Sequence, residues 1–280
     1  MILNVAPKFD VATEYSYRWN RRLLEELGEP AVELLEEDAT REKTEEILKE
    51  RRDIDLFIFY NHGVEDALIE QGGGHLIDGG NVHLLRGKEV YTMCCLAAKK
   101  LGAEAYRKGV KAWWGYTDTF VFVTTDEEVF GRLANMGLIL RRRERLSWDE
   151  CLKRVREAYD EEIEKRREGG NPWTVIALVH DRDALVCWWD GNPPPSECAF
   201  RGLAVRLLGR AGQKLSRDTV LAWAIFFISF GVSLHDYCHA LWEVGGYPEI
   251  LSPQGGYIGF LGMLLAFLYL MKEHVKWLGR

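Results

Sequence analysis

Cysteine is scarce in this chain. Six cysteines in 280 residues are too few for a disulfide framework, and no Cys-x-x-Cys pair is present to hold a structural zinc. Positive charge is not in excess either. Thirty-six Lys and Arg stand against 43 Asp and Glu, for a net charge of −7, and the basic run Arg141-Arg142-Arg143 is soon answered by acids. That distribution does not suit a nucleic-acid binder. The opening MILNVAPKFD lacks a basic segment followed by an apolar run, so no secretory leader is expected. Free thiols without a leader favour the cytosol for the charged part of the chain. No internal repeat is visible. A hydrophobic content of 47% with 28% charged residues excludes global disorder, and the length suits one main domain plus an appendage.

Residues 1–191 alternate short apolar runs with amphipathic ones. Strands are predicted at Met1–Val5, Ala31–Leu35, Leu56–Tyr60, Glu89–Met93, Lys111–Gly115, Thr174–Val179 and Ala184–Trp188. Helices are predicted at Thr13–Leu27 with Gly28 as its stop, at Thr40–Arg51 with Thr40 as N-cap, at Ala97–Lys108, and at Ser147–Arg167. Ser147 and Glu150 have capping-box spacing. Leu56-Phe57-Ile58-Phe59-Tyr60 is apolar throughout, as strands covered on both faces of a parallel sheet are. Strand–helix alternation predicts an α/β domain with a mainly parallel sheet. The mixed-charge stretch 124–146 reads as a loop, with room for a regulatory role.

Pro193-Pro194-Pro195 breaks the pattern, and a basic segment with Arg201, Arg206, Arg210, Lys214 and Arg217 follows. Residues 192–217 are therefore read as a linker. Thr219–Leu234 and Gln254–Met271 are uncharged runs of sixteen and eighteen residues. The first, prolonged through His235-Asp236 to Trp242, reaches the ~30 Å of a bilayer core. Both outer flanks are basic and the joining loop is acidic, which places both flanks in the cytoplasm. Residues 218–280 are thus expected to form a two-helix membrane hairpin contacting the bilayer through 218–272. A pair of buried helices in a soluble protein is the alternative.

Two motifs sit at predicted strand ends, where open α/β sheets build their sites. Tyr60-Asn61-His62-Gly63 follows one strand and Met93-Cys94-Cys95-Leu96 the next. A thiolate is a nucleophile, and an imidazole can take its proton and return one to a leaving group. The N–H groups of Gly63 and of the nucleophilic cysteine are candidate oxyanion donors. Taken by residue type alone, Cys94 and Cys95 could equally be inert core side chains.

The larger pattern resembles the caspase-like cysteine peptidases, nearest the CHAT and gingipain/clostripain-like branches. The segments that carry the resemblance are Leu56 to Gly63, Leu84 to Cys95, Leu101-Gly102, and Gly109 to Tyr116. Together they reproduce an order of strand and His-Gly, hairpin insert, strand and Cys, Leu-Gly helix, and strand ending in Gly-Tyr. The resemblance covers roughly residues 1–190. It implies a caspase-like fold, a cysteine endopeptidase acting on protein or peptide substrates without a cofactor, His62 as general base and acid, Cys95 as nucleophile with Cys94 as the alternative, and Gly63 as oxyanion donor. Related folds pair through an edge strand, so a homodimer is left open. Met93 and Ala97 depart from the family pattern, and Met93 does not support specificity for basic residues. Trp113, Trp114 and Tyr116 either wall a substrate pocket or pack in the core. Asp118 either recognises a basic group or is a surface acid.

His75 and His83 are expected at the surface and His180 in a turn. His235 and His239 share a helical face, but no third ligand is evident, so no metal site is expected. The expected function is a membrane-anchored cysteine endopeptidase with its catalytic domain and C-terminus cytoplasmic. The alternative is a catalytically inactive caspase-like signalling or scaffold module at the membrane. A variant of it, in which the hairpin permeabilises the membrane, lacks any polar pore-lining pattern.

Overall fold

A computed structural model describes residues 1–167 and 169–195. The predicted hairpin, its His235–His239 pair and the basic part of the linker lie outside the described residues. Among the described residues no helix is long and apolar enough to cross a membrane.

The chain runs β1 (Ile2–Ala6), α1 (Val11–Leu27), β2 (Ala31–Leu35), α2 (Arg41–Glu50), β3 (Leu56–Tyr60), β4 (Gly63–Val64), β5 (Ala67–Ile69), β6 (His75–Asp78), β7 (Glu89–Met93), α3 (Leu101–Arg107), β8 (Ala112–Tyr116), α4 (Glu127–Arg143), α5 (Trp148–Arg167), α6 (Pro172–Ala184) and β9 (Leu185–Trp189). Six strands form the main sheet in the order β2-β1-β3-β7-β8-β9. All neighbours are parallel except β8 and β9, which are antiparallel. β4, β5 and β6 form a small antiparallel sheet inserted between β3 and β7. The fold is α/β with a mostly parallel sheet, as the alternation predicts.

The strand period of two divides the core. Ile2, Leu56, Ile58, Tyr60, Tyr91, Trp114 and Tyr116 face the layer formed by α1, α4, α5 and α6. Leu3, Val5, Phe57, Phe59, Val90 and Trp113 face the layer that includes α2, α3 and the inserted sheet. Each fully buried side chain of this size contributes roughly 1.5–3 kcal/mol, and the central strands are buried at every position except Glu89. α1 is tied to β1 by reciprocal buried amides: Asn4 Nδ2 donates to Asn20 Oδ1 at 2.9 Å and Asn20 Nδ2 to Asn4 Oδ1 at 2.7 Å. Gly28 closes α1 in the left-handed conformation with φ 62°, where a glycine costs least.

Three expectations need correction. Residues 127–143 are helix α4, not a loop. Phe130, Leu133, Ala134, Leu138 and Leu140 are its buried stripe, and acids in its first turn and arginines in its last suit the helix dipole. The segment 174–179 is not a strand. It lies in α6, because Asn171 caps the Trp173 N–H and Pro172 opens the helix, and Thr174, Ala177, Leu178, Asp181 and Ala184 are buried at helical spacing. These start signals override the β propensity of its Val and Ile. The helix predicted at 97–108 begins only at Leu101, since 97–100 are spent on turns after Cys95.

α1 and α4 pack closely at Gly131, where an added Cβ would land within the Trp19 indole. Trp19 is 1% exposed and has no room to yield. Gly131→Ala should therefore destabilise the domain by about 1–3 kcal/mol through overpacking, despite the ~1 kcal/mol that alanine gains over glycine in a helix. Urea unfolding measures the sign; a more stable variant would contradict the packing described.

Candidate active site

The parallel pairing of β3 with β7 brings Tyr60 opposite Met93, and Asn61 N donates to Met93 O at 3.2 Å just beyond. The two turns that leave these strands, Asn61-His62-Gly63 and Cys94-Cys95-Leu96, therefore lie side by side at the carboxyl end of the sheet. Gly63 is the point of closest approach. A Cβ there would sit 2.6 Å from Cys95 O and 2.8 Å from Cys94 Sγ, so no larger residue fits without parting the turns. Ile69 N donates to His62 O at 3.1 Å, which makes His62 and Ile69 a hydrogen-bonded pair. By the alternation of an antiparallel ladder, Gly63, opposite Leu68, turns its N–H away from β5.

His62 Nε2 lies 2.7 Å from Asp10 Oδ2. Asp10 is the N-cap of α1, and its Oδ1 accepts the Thr13 N–H at 2.8 Å. Burial pushes the Asp10 carboxyl up, but the Thr13 N–H and the His62 ring outweigh it and hold the group below its ordinary value. An ionised carboxylate only accepts, so Nε2 carries the proton in this pair and the lone pair of the neutral ring lies at Nδ1. Nothing local in the sequence points Asp10 toward His62. Its spacing to Thr13 marks a helix start, but its reach to a histidine 52 positions away follows from the β1–α1 turn.

Cys94 is buried in the core beneath β7, and burial drives its thiol pKa far up. Cys95 is half-buried, and its Sγ accepts the Phe120 N–H at 3.4 Å. Burial raises its thiol pKa too; the Phe120 N–H opposes that, while Asp181 and Asp118 add to it. Of the two cysteines, only Cys95 combines partial exposure with a polar partner at sulfur. Leu96, directly after it, has φ 60°, a strained value for a leucine.

His62, Cys95, Asn61, Thr13 and Ser16 share a cavity of about 70 Å³ with Ala12, Trp19, Met93, Cys94, Phe120 and Phe122. Asn61 Oδ1 accepts the His62 backbone N–H. Its buried Nδ2 has no partner among the described residues. A roomier cleft of about 480 Å³ lies at the other end of the sheet, lined by Glu29, Glu89, Arg141, Arg142 and Arg145. Arg141–Glu89 and Arg142–Glu29 ion pairs occupy it, and it holds no nucleophile. Of the two, only the smaller cavity is lined by both a thiol and a histidine.

The predicted pocket aromatics lie elsewhere. Trp113, Trp114 and Tyr116 are at most 1% exposed, packed in the two core layers, and none lines the cavity. Asp118 is exposed, its carboxylate accepting the Thr119 N–H at 2.7 Å, and it is also off the lining. The aromatic wall comes instead from α1 and the loop after β8, through Trp19, Phe120 and Phe122. His180 is in α6, not a turn, with Nε2 2.8 Å from Thr119 O. His75 and His83 are exposed, as expected.

The loop 117–123 is pinned from α6. Val121 N donates to Asp181 Oδ1 at 2.9 Å, and Thr117 N to Ala184 O at 2.9 Å. Asp181 is fully buried, its Oδ2 has no partner among the described residues, and burial pushes its pKa up to about 8. The unfolded chain releases this proton near the ordinary carboxylate value, whereas the folded chain keeps it to about 8. Stability therefore falls as pH rises through that window. Asp181→Asn, which keeps an acceptor for Val121, should flatten this dependence and raise the melting temperature at pH 8 by roughly 2–4 °C for each ~1 kcal/mol recovered. An unchanged slope of melting temperature against pH would exclude a buried, proton-holding Asp181.

No protein-family model matches this chain, and no curated protein matches it.

Proposed function

We propose that the protein is a cysteine endopeptidase of caspase-like type, working through His62 and Cys95, with Asp10 as the residue that positions the imidazole. The observation that carries the reading is one cavity at the carboxyl ends of adjacent parallel strands, holding a half-buried thiol and a histidine whose Nε2 is committed to a carboxylate. The resemblance in motif order supports it independently. The two uncharged runs with basic flanks support a membrane hairpin at 218–280, with the catalytic domain on the cytoplasmic side.

In the reaction, His62 Nδ1 takes the Cys95 proton as the sulfur attacks the scissile carbonyl carbon. The new C–S bond forms, and the carbonyl electron pair moves to oxygen, where the Gly63 N–H donates. The pair returns as the C–N bond breaks, and the imidazolium passes its proton to the departing amine. Water, deprotonated by His62, then adds to the thioester; the C–S bond breaks and the thiol regains its proton. Because burial holds the resting thiol protonated, the proton must leave during the attack, and a base in place is indispensable.

Cys95→Ala should lower peptide hydrolysis by at least ~10³-fold and abolish labelling by a thiol-directed peptide probe, while Cys94→Ala retains labelling. Persistent labelling without Cys95 would overturn the assignment. A wild-type protein that neither cleaves nor is labelled would support the inactive scaffold, which the Phe120 N–H seated on the sulfur also favours. Asp10→Asn keeps a good N-cap but removes the charge facing His62. It should lower kcat by about 10²-fold with the helix intact by circular dichroism; an unaltered kcat would deny Asp10 its positioning role.

A further inference from the structure

The cavity beside His62 and Cys95 has a definite chemical character. Its walls are Ala12 and Trp19 of α1, Met93 at the end of β7, and Phe120 and Phe122 of the loop 117–123. The remaining lining residues other than His62 are uncharged. The nearest carboxylates are engaged or displaced: Asp10 is on His62 and Thr13, Asp118 is on Thr119 and off the lining, and Asp181 lies buried behind the loop. A Lys or Arg side chain entering here would find no carboxylate in the lining, Asp118 and Asp181 acting on Cys95 only from outside it, and an Asp or Glu would find no cation but the imidazole of His62. An unpaired charge in such surroundings is strongly disfavoured.

The wall is built rather than loose. Trp19 meets Phe122 edge-on at 5.1 Å between ring centroids, and Phe120 meets Tyr116 edge-on at 4.9 Å. Val121 N is held by Asp181, Thr119 O by His180, and Asp118 O by Leu96 N at 3.0 Å. A wall fixed at this many points sets a size limit. About 70 Å³ admits at least two water molecules, or a short aliphatic side chain in their place, but no aromatic ring unless Phe120 moves.

We propose that this cavity receives the side chain on the acyl side of the cleaved bond, and that the enzyme selects a short aliphatic residue there, against charged and against aromatic ones. The proposal rests on the cysteine-peptidase reading and adds its substrate class. Phe120 and Phe122 are its specificity-determining residues, and Ala12 sets the width at the facing side.

The test uses the full chain in detergent with fluorogenic peptide amides that differ only in the residue before the scissile bond: Ala, Val, Phe, Lys, Arg, Asp and Glu. The expected result is a kcat/KM for Ala and Val at least ~100-fold above that for each charged residue, with Phe also poor. Phe120→Ala should improve Phe relative to Ala by about 10-fold without improving Lys or Arg. Ala12→Leu, at an exposed position of α1 where folding is not at stake, should shift the ratio the other way, favouring Ala over Val. A preference for Lys, Arg, Asp or Glu, or equal rates across the panel, would overturn the specificity and leave the peptidase standing. Failure to cleave any member, with no labelling of Cys95 by a peptide probe, would overturn the peptidase reading and the specificity with it.

Discussion

The parallel register of β3 against β7 is the constraint on which the site depends. Tyr60 opposite Met93 ends both strands at one level, so the chain leaves them in two turns with nothing between. Both faces of these strands are buried, and a slip by one residue would move Phe57 and Phe59 to the face now held by Leu56, Ile58 and Tyr60. The core thus fixes the register, and the register fixes the approach of the two turns. Gly63 is the concession that lets them touch. The cavity between His62 and Cys95 is therefore a product of main-chain pairing and close packing, not of a flexible loop finding its place.

Electrostatics then assigns the work. The Asp10–His62 pair is partly exposed, with side-chain exposures of 43% and 40%, so its Coulomb contribution to stability is modest, about 0–1 kcal/mol as for other solvated pairs. Its value lies in direction. One oxygen of Asp10 is held by the start of α1 and the other by Nε2, so the helix terminus sets the ring and the tautomer at once. At the sulfur, desolvation dominates and keeps the proton on. In the proposed reaction a thiol raised in this way and a histidine acting as base would be complementary, since charge would appear only as the proton moves between them.

What could be read from the sequence follows the range of the interactions. β1, β2, β3, β7 and β8 carry their signals within five residues each, and these mark His62 and Cys95, which stand two residues past the ends of β3 and β7. Thr40 as cap and Gly28 as stop are equally local. Asp10 has no comparable signal toward His62, because its cap role is local but that bond is not. Phe120 and Phe122 carry no such signal, because a loop after a strand has no periodicity to mark it, whereas Trp113, Trp114 and Tyr116 stand out as aromatics but are packed on either face of β8. In α6, the β-branched residues Thr174, Val175 and Ile176 outweighed the Asn171-Pro172 start signal, although the latter was the stronger physical statement.

The helical state of 174–179 has a consequence for the site. As a strand, 174–179 would leave Asp181 in a turn, with no reason to be buried. In the helix it lies on the inner face, three turns from the cap, and meets Val121 sixty positions away in the chain. The same loop holds the turn after Cys95 through Leu96 N and Asp118 O, and Ala98 N donates to Tyr116 O at 3.1 Å. These bonds sustain a leucine at positive φ, which costs about 1–2 kcal/mol when unsupported. The chain reverses immediately after Cys95; both cysteines border the cavity, but Cys95 is half-buried whereas Cys94 is buried at 2% exposure. The loop that holds the turn after Cys95 and lines the cavity is thus itself held by a helix some eighty residues downstream, through Asp181 and Ala184.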